Sequence, residues 1–174
     1  MMPLSIKRIT AKIALYSFLF SQVQVGFVYG GNVVSAEPAT NVYQSPNGTT
    51  VVNITTANSQ GLSHNKFTDY NVSSQGVVLN NTTASGLTHA SQLAGSVAAN
   101  QYSTRQANII LNEVISTNQS QLSGYTEVVG KTADVIVANP NGITCNGCGF
   151  INTNQVSLTT GNPMIDGTGT LNGF

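Results

Sequence analysis

The chain has 174 residues, six Lys and Arg against six Asp and Glu, no Trp, and a formal net charge of zero. Only 7% of its residues are charged, against roughly 25% in ordinary soluble domains; the polarity comes from 20 Asn, 20 Thr, 17 Ser and 11 Gln, alongside 17 Gly. This composition excludes a basic surface for nucleic acid, a charged interaction tail and a helix-rich fold, while 40% hydrophobic content is too apolar for disorder and suits one domain with a real core.

Lys7, Arg8 and Lys12 precede the apolar run Ile13 to Phe20, and a softer stretch with Gln22, Gln24 and Gly26 leads to the small residues Val34-Ser35-Ala36. That order predicts a secretory signal peptide over residues 1–36, cleaved after Ala36. The apolar run is shorter than the ~20 residues that span a bilayer, and no later segment predicts stable membrane insertion. All three leader charges are basic, so the remainder carries three basic residues against six acidic ones. The mature chain is therefore mildly acidic.

Beyond Ala36 the chain reads as short β-prone bursts separated by Gly, Asn, Ser and Thr turns. They fall at Thr50 to Ile54, Lys66 to Val72, Gly76 to Leu79, Asn108 to Leu111, Thr126 to Val129, Asp134 to Val137, Phe150-Ile151 and Val156 to Leu158. Leu87 to Arg105, rich in Ala, Ser and Gln, reads as a loop or an excursion from the main fold. Asn follows an aliphatic residue at Leu79-Asn80, Leu111-Asn112, Val137-Ala138-Asn139, Ile151-Asn152 and Leu171-Asn172. Asn tolerates left-handed backbone and suits the corner of a coil; stacked coils would align such residues so that their amides bond along the stack. The pattern predicts an all-β parallel β-helix, with a β-sandwich carrying Asn-rich loops as the alternative.

In Asn139-Pro140-Asn141-Gly142-Ile143, Pro140 presets φ at the second position of a turn, Gly142 supplies free φ, and Asn139 can bond backbone across the bend. Cys145 and Cys148 are the only cysteines. In an exported chain they are expected to close one small-loop disulfide, with free thiols and a redox or metal role as the other readings. Two Cys give half a tetrahedral metal set, and His64 and His89 lie far apart in sequence, so no metal or cofactor is expected. His64, near Ser63 and Asp69, lacks the context of a catalytic triad and reads as a structural or surface residue. Glu37, Asp69, Glu113, Glu127, Asp134 and Asp166 show no close pair for acid/base work. No enzyme is expected.

Val135 to Thr160, VIVANPNGITCNGCGFINTNQVSLTT, resembles the signature of the two-partner secretion domain of filamentous haemagglutinins, haemolysins and contact-dependent inhibition toxins. Further blocks resemble the same family in order: Gly61 to Phe67 with Tyr70-Asn71-Val72, Gly76 to Asn81, Ile110 to Val114, and Gln121 to Val128 with Gly130-Lys131. One departure stands out. Where the family often carries a second box, NPNL, this chain reads Ala99-Asn100-Gln101-Tyr102, and only Asn100 matches. The resemblance implies a right-handed parallel β-helix with short extra-helical strands or hairpins, over a secretion (haemagglutination activity) domain at residues 37–174. It implies a Gram-negative exoprotein that passes the periplasm to the surface or medium and meets the POTRA domains of a TpsB-type outer-membrane transporter. Host or bacterial surfaces would be reached through a passenger that follows. Family domains are longer, so the stop at Leu171 to Phe174 reads as C-terminally incomplete, leaving an uncapped end. A free-standing adhesin and a β-helical polysaccharide-active enzyme are the rival readings; the latter would need a groove of clustered charges, and Lys66, Arg105 and Lys131 are the only bases past the leader.

Overall fold

The computed structural model describes residues 32–174, and every regular element among them is a β-strand. Most of the expected leader therefore lies outside the described residues. The strands are β1 (Val33–Ser35), β2 (Asn41–Gln44), β3 (Thr50–Asn53), β4 (Leu62–Tyr70), β5 (Val77–Asn81), β6 (Thr88–Ser91), β7 (Gly95–Ala98) and β8 (Ile109–Val114). They continue with β9 (Ser120–Leu122), β10 (Tyr125–Gly130), β11 (Asp134–Ala138), β12 (Ile143–Cys145), β13 (Gly149–Ile151), β14 (Val156–Thr159), β15 (Met164–Ile165) and β16 (Leu171–Gly173).

Strands far apart in sequence stack in parallel. One sheet runs β3-β5-β10-β13 with parallel pairing throughout, closed at its outer edge by the antiparallel β2. A second runs β4-β8-β11-β14, again parallel, closed by the antiparallel β1. A short third face pairs β9 with β12, and a parallel bridge joins Val72 to Leu122. Coils that visit these faces in turn make a parallel β-helix. The sandwich alternative is set aside, because its sheets would be antiparallel.

The main core fills the coil interior. Val52, Val77, Leu79 and Val128 point inward from the first sheet and meet Phe67, Ile110, Val114, Val135 and Val137 from the second. Outward residues of both sheets are covered too. Val51, Val78 and Val129 lie under Ala94 and Val97 of the β6–β7 hairpin. Leu62, Leu111, Ile136 and Ala138 pack with Ile165 and Leu171 of the β15–β16 hairpin. Strands covered on both faces need apolar side chains at successive positions, which is why Val51-Val52, Val77-Val78-Leu79 and Val135-Ile136-Val137 read as runs and not as alternations. The Leu87 to Arg105 excursion is mostly this first hairpin, β6 pairing antiparallel with β7.

The expected alignment of Asn side chains is present in one row. Asn80 donates to Asn53 Oδ1 (2.8 Å), and Asn53 donates to Asn41 Oδ1 (3.2 Å). The row stops there, because the register partner of Asn80 on β10 is Val129. Asn152 takes the left-handed backbone foreseen for a corner, at φ 57°, and donates to the Val128 carbonyl (2.7 Å). At another corner the coils approach so closely that a Cβ on Gly124 would lie 1.9 Å from the Ser73 carbonyl oxygen. Only Gly fits there.

Candidate functional site

The Asn139 to Gly142 segment joins β11 to β12 as a tight turn. The Gly142 N–H donates to the Asn139 carbonyl (3.1 Å), and the Asn141 N–H donates to Asn139 Oδ1 (3.0 Å). Gly142 sits at φ +113°, a region closed to most L residues. The fully buried Asn139 amide reaches out of the turn to the preceding coil, donating to the Asn118 carbonyl and the Ser120 hydroxyl, both at 2.9 Å. Asn141 adds a bond to the Ser116 carbonyl (2.8 Å). Pro140 is exposed, and Ile143 packs against the main core. The two Asn side chains therefore tie one coil to the one before it, while Pro140 only sets the bend. Residues 116–120 supply the acceptors, and nothing in their own sequence marks them for that part.

Asn100, in the segment Ala99 to Tyr102, builds the same device. It is fully buried. The Tyr102 N–H donates to its Oδ1 (2.9 Å) and the Ser103 N–H to its carbonyl (3.4 Å). Its amide donates to the Ile54 carbonyl (2.8 Å) and the Asn80 carbonyl (3.1 Å) in neighbouring coils, and its own N–H is taken by the Thr82 hydroxyl (2.8 Å). Gln101 stands where the other turn has Pro140, yet an Asn-centred turn with cross-coil amide bonds forms at both places. The departure in letters is not a departure in geometry.

Cys145 ends β12 and Cys148 precedes β13; their Cα atoms lie 5.3 Å apart and the sulfurs are bonded. The bridge staples the corner between these strands beside the Asn139 turn. Cys148 also packs against the main core.

Ser63, His64, Asp69, Glu37 and Glu127 are committed to the fold. Ser63 points inward and donates to the Thr55 carbonyl (2.8 Å), whereas His64 Nε2 meets Glu113 Oε2 at 2.6 Å across β4 and β8. Adjacent strand residues face opposite ways, so Ser63 and His64 cannot act as nucleophile and base. Asp69 receives the Asn118 amide (2.8 Å), and Glu37 receives the Lys66 N–H (3.2 Å). A groove of about 610 Å³ runs beside the β6–β7 hairpin, lined by Ser91, Gln92, Glu127, Val129 and Asn152 among others. Its buried acid, Glu127, already accepts the Ser91 hydroxyl (2.7 Å), the Gln92 N–H (2.8 Å) and the Leu93 N–H (3.0 Å). Glu127 thus anchors the hairpin; the only hint in the sequence is an acid inside an apolar strand. Among the described residues no group of three or more His, Cys, Asp or Glu could hold a metal ion, and no helix is long and apolar enough to cross a membrane.

Comparison with known proteins places this geometry. The family model of the TPS secretion domain matches residues 31–174. A 16S rRNA endonuclease CdiA of Enterobacter cloacae is 53% identical over 134 residues, covering 76% of this chain and 4% of that protein. A hemolysin of Serratia marcescens is 46% identical over 149 residues, covering 84% of this chain and 9% of its own length. The crystal structure of a filamentous hemagglutinin secretion domain superposes with a TM-score of 0.72 at 44% identity, over 79% of this chain and 45% of that one. This chain thus spans a small fraction of these full-length relatives.

Proposed function

The chain belongs to the TPS secretion domain family, and from that premise we propose that it is the export-targeting part of a haemagglutinin- or haemolysin-like exoprotein of a Gram-negative bacterium. It is recognised by the POTRA domains of a cognate TpsB-type outer-membrane transporter, and its coils seed the folding of whatever follows them. Some relatives are named nucleases, and this chain covers only 4% and 5% of the length of two of them. The observation that carries the reading is the family match across all the described strands, together with the β-helix itself.

The extended chain presents its strands to the transporter by β-augmentation, and folding outside the cell biases movement outward. The Asn100 and Asn139 turns act in this through the fold, by holding adjacent coils, and not by touching the transporter. Co-expression with a candidate transporter and assay of the medium tests the role. Secretion that depends on the transporter is the expected result; none from a folded, correctly processed chain would remove the proposal. Pro140→Ala separates the two parts the turn could play. It should melt close to wild type and be secreted normally, whereas a secretion defect at unchanged stability would mean direct contact at this exposed residue.

A further inference from the structure

We propose that the export cut falls between Gly30 and Gly31, upstream of the Ala36–Glu37 bond that the small-residue pattern first suggests. This rests on the export reading above, and it follows from what β1 does. Val33 is buried in the main core with Phe67 and Tyr70. Val33, Val34 and Ser35 pair with Tyr70, Asp69 and Phe67 of β4. Just outside the strand the Asn71 N–H donates to the Asn32 carbonyl (3.0 Å), and the Ala36 N–H donates to the Lys66 carbonyl (2.8 Å).

The bond after Ala36 lies inside this local structure. The Ser35 hydroxyl donates to the Glu37 carbonyl (2.6 Å), and the Glu37 N–H donates to the Ser35 hydroxyl oxygen (3.1 Å). Cleavage takes place on the unfolded chain, so access in the fold is not the issue; what the product can still build is. A chain starting at Glu37 would leave β4, the longest strand of its sheet, as a bare outer edge, with Phe67 and Tyr70, both fully buried, uncovered at the end of the core. Bare apolar edges invite pairing with other chains.

The cut must therefore fall before Asn32 while keeping small residues at the first and third positions on its leader side. Val28 and Gly30 meet that requirement for a cut after Gly30; after Gly31 the third position would be Tyr29, and after Gly26 it would be Gln24. The reaction is hydrolysis of one peptide bond: the Gly30 C–N bond breaks, the hydroxyl of water goes to the Gly30 carbonyl carbon, and the remaining proton goes to the nitrogen of Gly31, leaving a free amine.

Expression of the full chain with its leader, recovery of the exported protein, and N-terminal sequencing with intact mass test the assignment. The expected start is Gly31-Asn32-Val33-Val34. Gly30→Tyr should block that cut and retain the leader mass, whereas Ala36→Tyr, at an exposed position, should be processed like wild type. An exported chain starting at Glu37, or at any residue other than Gly31, overturns the assignment while leaving the export reading intact. A chain kept whole in the cytoplasm overturns both.

Discussion

A buried Asn at a turn can satisfy its own loop and the neighbouring coil at once, and Asn100 and Asn139 both do so. Removing either amide strands acceptors in the next coil and a donor in the turn. Each buried polar group left without a partner costs about 1–3 kcal/mol. Asn139→Ala and Asn100→Ala should therefore each lower the urea midpoint by a similar and easily measured amount, and Asn100→Ala should do so although its box lacks Pro. Asn112 is the opposite case. It is fully buried between Asn65 and Val137 in the sheet register, and neither its Nδ2 nor its Oδ1 has a hydrogen-bond partner among the described residues. An apolar residue of similar size removes that desolvation cost, so Asn112→Leu should raise Tm, by about 1–3 kcal/mol of stability; a fall would show that the amide is satisfied in solution. At this scale the sequence was half legible. That Asn139 bends the chain could be read from its neighbours, but its partners at Asn118 and Ser120 could not, because coil stacking brings them together from 21 and 19 residues away.

The two hairpins are held to the coil by different means, and their responses should differ. The β6–β7 hairpin hangs on the Glu127 carboxylate and the apolar contacts of Ala94 and Val97. Glu127→Gln puts an NH2 group where three donors converge. It should speed amide exchange in residues 88–98 well before the coil strands lose protection. The β15–β16 hairpin is closed by Asp166, whose carboxylate accepts the Thr168 hydroxyl, the Asn172 amide and the Thr170 and Thr168 N–H groups. The Thr168 hydroxyl chiefly, then the other donors, hold this carboxyl far below the usual carboxylate range. A depressed acid contributes stability above its unfolded pKa of about 4 and loses it only as pH falls through the folded value. This hairpin should thus keep its exchange protection down to pH 4 and loosen only in stronger acid. The strands of the main coil were visible as apolar bursts, most within a few residues of their true limits, because burial on both faces leaves runs of Val, Ile and Leu. β1, β9, β12, β15 and β16 gave no such signal. They are two or three residues long, too short to show a pattern, and exist because a neighbouring strand offers them a ladder.

The two ends of the molecule differ. At the N-terminal side both main sheets end in antiparallel strands, β1 and β2. At the other, β13 and β14 pair on one side only among the described residues, and Leu158, which shares the register of the inward Val137, is 40% exposed. Expressed by itself, without any following coil, this 174-residue chain should self-associate through that apolar coil end. Light scattering should show mass rising with concentration, and Leu158→Lys should suppress it; a concentration-independent monomer would overturn this. The asymmetry of the ends also makes the solenoid a polar object, like a filament with one growing tip. A new coil running in the same sense as the others finds a matching ladder only on β13 and β14, since β1 and β2 run the wrong way. Added chain can extend the stack from one end alone, and order spreads through it in a single direction.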